Sequence, residues 1–120
     1  MHEIAIANSI IEAVQAEAKH HPGKVPCKVA VRIGEMVAVD PDALRFCFEA
    51  LTRGTELQSL QLEVELCPLR YLCPDCNCEF PVIEFDSQCP QCGGRRTRCV
   101  SGDQLDLAYI EVEEYEPSSA

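Results

Sequence analysis

Four cysteines stand in two tight pairs, Cys73-Pro74-Asp75-Cys76 and Cys89-Pro90-Gln91-Cys92, with twelve residues between the pairs and Gly93 directly after the second. Two residues between thiolates let one turn present both sulfurs to a single ion. Two such turns complete a tetrahedron, the geometry Zn2+ accepts from four sulfurs. Gly93 frees the backbone to fold its N–H groups toward the sulfurs. The same residue types serve other chemistries. A Cys-x-x-Cys at a helix start is a redox pair, but here the motif occurs twice and in loop-like sequence. Four cysteines also hold iron–sulfur clusters, although paired knuckles suit zinc better. Cys78, close behind Cys76, is an alternative ligand, and Cys67 and Cys99 bracket the segment as spare thiols. Cys27 and Cys47 fall on apolar faces and read as small core residues. A closed tetrathiolate leaves no open coordination position, so such a zinc organises structure rather than catalyses.

The three histidines are His2, His20 and His21. With Met1 as the first residue, its α-amine, the next backbone nitrogen and the His2 imidazole close fused chelate rings on one metal. Deprotonated amide nitrogens are strong in-plane donors, which favours square-planar Ni2+ or Cu2+. Glu3 can supply a further donor through its nitrogen or carboxylate. Each of these residues also has a plain reading. A second-position histidine is ordinarily solvated, and an acid such as Glu3 stabilises a helix N-terminus. Asp40 is an N-cap in front of Pro41, which suits the first helical position. His20 and His21 close a helix, where cationic side chains are favourable.

These residues need elements to position them. Over residues 3–20, Ile4, Ala7, Ile11, Val14 and Ala18 recur at helical spacing, and Pro22-Gly23 ends the helix. Residues 27–34 alternate Cys27, Val29, Val31 and Ile33 with Lys28, Ala30 and Arg32, a strand with one buried face. A second helix spans about 41–53, with Leu44, Cys47, Phe48 and Leu51 inward and Gly54 past its end. Residues 60–67 alternate Leu60, Leu62, Val64 and Leu66 with polar residues. Residues 105–113 are rich in β-formers, with a change of phase near Tyr109 that points to a bulge or a shared edge. The stretch between, 68–102, lacks periodic apolar residues and is too small for a core of its own without a staple. The expected fold is therefore α+β: two helices on a three-stranded sheet, with an inserted zinc-ribbon-like domain. The division is residues 1–67 plus 103–120 against 68–102.

Composition limits the partners. The 120 residues carry a formal charge of −10, which opposes nucleic-acid and anionic-membrane binding and favours metal ions and basic faces. Arg95, Arg96 and Arg98 form a small basic patch, either solvated or a contact for an acidic partner. There is no apolar run of spanning length and no signal-peptide pattern, so the expected setting is the cytoplasm. No base–nucleophile pairing suggests an enzyme. On these grounds a rival reading is a zinc-ribbon module for protein interaction or nucleic-acid binding.

Taken together, Met1-His2-Glu3, the stretch Arg32-Ile33-Gly34-Glu35, the stretch from Asp40-Pro41-Asp42-Ala43-Leu44-Arg45 through Phe46-Cys47-Phe48-Glu49, and the two knuckles resemble the HypA/HybF family of hydrogenase nickel-incorporation proteins over essentially the whole chain. The resemblance implies a nickel metallochaperone for [NiFe]-hydrogenase maturation, in some members also for urease. It implies Ni2+ carried by His2 with the Met1 amine and Glu3, and an acidic contribution from Asp40. It implies structural Zn2+ on Cys73, Cys76, Cys89 and Cys92. The implied partners are a HypB-type GTPase and the hydrogenase large-subunit precursor, and a homodimer is compatible with the resemblance. Some relatives place histidines beside the zinc-ligating cysteines. This chain has none after His21, which removes that route for coupling the two metals.

Overall fold

Helix α1 (Glu3–Ala18), strand β1 (Lys24–Gly34), a 3-10 turn (Glu35–Val37), helix α2 (Pro41–Thr52) and strand β2 (Gln61–Cys67) lead into three short strands: β3 (Arg70–Cys73), β4 (Cys78–Pro81) and β5 (Arg98–Ser101). Strand β6 (Leu105–Glu114) closes the chain. This computed structural model describes residues 3–84 and 86–114. One three-stranded sheet has the order β2-β1-β6 and the other β4-β3-β5. The chain divides into two compact units, one of Met1–Val31, Val39–Glu65 and Asp106–Ala120, the other of Arg32–Ala38 and Leu66–Leu105.

In the first unit the two helices pack on one another. Their start and stop signals follow local chemistry. The Asp40 side chain accepts the Asp42 and Ala43 N–H groups at 2.9 and 3.4 Å. Pro41 takes the first turn, where a missing N–H costs nothing. The unit's buried apolar side chains include Ile6, Ala7, Ile10 and Val14 of α1, Leu44 and Phe48 of α2, Val29, Ala30 and Val31 of β1, and Leu57 and Leu60 after α2. The α1 stripe is thus turned from the expected one: Ile4 is 52% exposed and Ile6 and Ile10 are inside. Apolar residues fill every position from Ile4 to Ala7, so spacing alone does not select the face. The helix also ends at Ala18, two residues earlier than expected. In α2, Thr52 is buried rather than Leu51, its hydroxyl donating to the Phe48 carbonyl at 2.9 Å. Cys27 is half-buried, with its thiol directed at the Glu111 carbonyl.

The second unit is a small antiparallel sheet. Strand β3 pairs Cys73 with Cys78 on β4 and Tyr71 with Cys99 on β5. Its buried cluster is Leu69, Cys73, Phe80, Val82 and Cys89, with Tyr71, Cys78 and Cys99 against it. Two glycines permit a close crossing here. A Cβ on Gly34 would fall on the Gly102 backbone, and one on Gly102 would fall on Leu69. The alternation of β2 breaks at this unit's border: Leu66 is exposed and Cys67 is buried.

Candidate metal centre

Both cysteine pairs sit where the small sheet turns. Cys73 ends β3, and the chain reverses through Pro74–Asn77 to Cys78, with Asn77 at φ 57°. The second pair lies in the loop before β5. There the Gly93 N–H donates to the Cys89 carbonyl at 2.9 Å, and the Cys89 N–H donates to the Gly94 carbonyl at 2.9 Å. Gly93 has φ 74°, the left-handed conformation that glycine adopts at no steric cost. The four sulfurs of Cys73, Cys76, Cys89 and Cys92 converge, all within 4.8 Å of one another. Cys73–Cys92 and Cys76–Cys89 are each 3.5 Å apart. Four sulfurs about 2.3 Å from a tetrahedral Zn2+ stand about 3.8 Å from each other, so donor type and spacing fit that ion. Cys73 and Cys89 are buried and Cys76 and Cys92 exposed.

Without an ion these thiols compete for protons. Hydrogen bonding to the Cys89 sulfur, together with burial, pushes Cys76 up to about 12. The Cys92 backbone N–H pulls Cys89 down to about 7 against the effect of burial. The Gly94 N–H lowers Cys92, but the Cys73 sulfur and burial outweigh it and leave that thiol raised. A divalent cation resolves this crowding by taking all four as thiolates.

The sulfurs of the remaining cysteines do not join the group of four. The Cys78 thiol is directed at the Glu79 carbonyl and the Cys99 thiol at the Ser101 carbonyl. Gly94 is a contributor that motif reading missed. A Cβ there would stand 3.2 Å from the Cys73 sulfur and 3.3 Å from the Cys92 sulfur. Its only sequence signal is the Gly93-Gly94 doublet. Around the centre, Arg96 pairs with Asp75 of the first knuckle at 3.3 Å. Arg95 and Arg98 are exposed.

Of the residues expected to carry nickel, Met1 and His2 lie outside the described residues. Glu3 and Asp40 are brought together: the Asp40 N–H donates to the Glu3 carboxylate at 3.3 Å. A carboxylate at the first turn of α2 is favoured by that helix's dipole. His21 faces Glu17 at 3.5 Å. Among the described residues, the four cysteines are the only group of three or more His, Cys, Asp or Glu close enough to share an ion. No helix among them is long and apolar enough to cross a membrane.

Fold and site define a small α+β protein with a four-cysteine centre of the kind zinc occupies. Residues 1–112 match the family model described as hydrogenase/urease nickel incorporation, metallochaperone, hypA. The hydrogenase maturation factor HypA of Geobacter metallireducens is 41% identical over 113 residues, 94% of this chain and 100% of the relative. The hydrogenase maturation factor HybF of Escherichia coli O157:H7 is 37% identical over the same shares. The solution structure of the Ni metallochaperone HypA from Helicobacter pylori superposes with a TM-score of 0.66 at 23% identity, covering 96% of this chain and all of that one. A second HypA solution structure reaches 0.70 at 23% identity, over 94% of this chain and 97% of that one. This chain belongs to the HypA family of hydrogenase/urease nickel-incorporation metallochaperones. The family consists of maturation factors, not catalysts.

Proposed function

We propose that this protein holds Ni2+ at its N-terminus and delivers it for maturation of [NiFe]-hydrogenase, in the cytoplasm, with a separate structural Zn2+. The reading is carried by the family match from residue 1 to 112, which takes in Met1-His2-Glu3 and both knuckles. The nickel site uses the Met1 amine, the His2 imidazole and intervening amide nitrogens. Glu3 and Asp40 complete its surroundings, a reading supported by their mutual hydrogen bond. We assign nickel binding to a domain of residues 1–67 with 103–120 and zinc binding to residues 68–102 through Cys73, Cys76, Cys89 and Cys92, although Arg32–Ala38, Leu66, Cys67 and residues 103–105 pack within the compact unit that carries the four cysteines. The partners are a HypB-type GTPase and the hydrogenase large-subunit precursor. Urease is a further recipient on the breadth of the family description.

The two metals have opposite requirements. Zinc in a closed tetrathiolate is retained. Nickel in transit must be held and then released, which a terminal site of few ligands permits. Raw affinity favours Cu2+ over Ni2+, so planar amide geometry and metal availability must supply selectivity. Protonation of the imidazole and amine weakens nickel binding as pH falls through the histidine range. The test is calorimetric titration of Ni2+ into the chain and into His2→Ala, with total metal assayed. Retained zinc with nickel binding lost in the variant supports the assignment. Equal nickel affinity in both overturns it.

A further inference from the structure

Strand β6 lies at the end of the order β2-β1-β6 and runs ten residues, Leu105–Glu114. Among the described residues, its outer edge therefore presents alternate backbone N–H and C=O groups without a ladder partner. Edges of this length are usually blunted by lysine, proline or a covering element. β6 contains neither lysine nor proline.

The two faces beside this edge differ. On one, the Tyr109 hydroxyl donates to the Glu63 carboxylate at 2.9 Å, and Lys28 pairs with the same carboxylate at 3.0 Å. Glu111 lies near enough to Lys28 and Tyr109 to act on both electrostatically, and the two-residue period from Glu111 puts Glu113 on the same face. Lys28 is engaged first by Glu63 and Lys24 by Glu114; Glu111 and Glu113 stand exposed and form no close ion pair among the described residues, Glu111 feeling Lys28 only as a weaker, more distant charge. On the other face, Ile110 and Val112, with Leu107, open onto a groove beside α1 of about 490 Å³, whose walls are apolar at Ala13, Ala18 and Pro26 and carry the Glu17–His21 pair.

We propose that this edge receives an extended segment of a partner protein, added as a fourth strand, in which small apolar side chains alternate with lysine or arginine. The apolar side chains enter the groove against Ile110 and Val112, and the cationic ones face Glu111 and Glu113. Main-chain hydrogen bonds supply affinity and the alternating side chains supply specificity. A second copy of this chain fits poorly, because its own β6 brings Glu111 and Glu113 against the same acids. An anionic polymer is repelled for the same reason.

The test uses the full chain and a fluorescein-labelled peptide, acetyl-Thr-Lys-Val-Lys-Val-Lys-Val-Thr-amide, read by fluorescence anisotropy. Two further peptides carry N-methyl groups on one or the other alternate set of residues, since only one set can direct its N–H groups at β6. The proposal expects saturable binding of the parent peptide and at least about tenfold weaker binding of one methylated form, with the other unaffected. It expects the doubly reversed Glu111→Lys/Glu113→Lys chain to bind at least about tenfold more weakly. Both side chains are exposed, and an unchanged circular dichroism spectrum checks the fold. No saturable binding overturns the proposal, as do equal affinities for all three peptides or indifference to the charge reversal. Sedimentation of the free chain as a dimer that the peptide dissociates would assign the edge to a second copy and also overturn it.

Discussion

Gly94→Ala isolates the geometry of the four-sulfur centre. Gly94 does not occupy the left-handed region, so alanine suits its backbone. The effect of the added methyl group must come from what it meets. That Cβ would stand 3.1 Å from an Asp75 carboxylate oxygen, 3.2 Å from the Cys73 sulfur and 3.3 Å from the Cys92 sulfur, whereas ordinary contact begins at 3.4 Å. The neighbours must yield by a few tenths of an ångström. Asp75 can swing away, at the expense of its pairing with Arg96. The sulfurs cannot follow without disturbing metal–sulfur distances, which tolerate only about 0.2 Å. Disturbance of groups that support metal ligands typically costs about 10–100-fold in affinity, which is about 1.4–2.8 kcal/mol. Competition with a chromogenic chelator measures the zinc affinity, and Co2+ in place of zinc reports the ligand geometry through its visible bands. Gly93→Ala is the contrast. Its Cβ would meet only the Gln88 amide at 3.4 Å, but φ is 74°. That variant should lose about 1–2 kcal/mol of stability through left-handed strain with an unchanged Co2+ spectrum. If Gly94→Ala keeps its zinc affinity within about twofold, against the 10–100-fold expected for disturbed ligand support, and its Co2+ spectrum is unaltered, the reasoning fails.

Three further outcomes are expected. Removing metal with a strong chelator should abolish the order of the second unit, whose buried cluster includes two of the four ligands, while helical circular dichroism from α1 and α2 persists; full retention of amide protection in β3–β5 would contradict this. Phe48→Ala, at a side chain 2% exposed, should cost about 3–5 kcal/mol in urea denaturation, and a loss under about 1 kcal/mol would mean that the site collapses freely or is not core. Hydrogen bonds from Lys28 and Tyr109 hold the Glu63 carboxyl below its ordinary 4.5, so its contribution to stability is present above that value and fades as pH falls through the lowered one. Glu63→Gln should therefore lower the melting temperature slightly near neutral pH and match the parent in strong acid; a difference that grew with acidity would reverse the sign.

What the sequence made legible follows the range of the interactions concerned. The α2 helix could be read because Asp40, Pro41 and Gly54 act within a turn of themselves. The knuckles could be read because two-residue spacing is itself the geometry of a metal turn. The face of α1 could not, since Ile4-Ala5-Ile6-Ala7 is apolar all round and only packing selects Ile6 and Ile10. Strands β3, β4 and β5 are four residues each, too short for a period to emerge. Leu66 and Cys67 exchange burial because the chain passes there from one compact unit to the other. The Glu3–Asp40 hydrogen bond joins residues 37 positions apart, and the place of Gly94 against the sulfurs depends on the folded loop.

Nickel delivery can be measured as a transfer between two purified proteins. The direct measurement loads the purified chain with Ni2+, mixes it with purified nickel-free hydrogenase large-subunit precursor in the presence of a competing chelator, separates the proteins and counts nickel in each. Nickel should appear in the precursor from the loaded chain, and not from an equal amount of chelated nickel or from the His2→Ala chain. Nickel that stays with the chain, or reaches the precursor equally from all three sources, would contradict delivery by this chain.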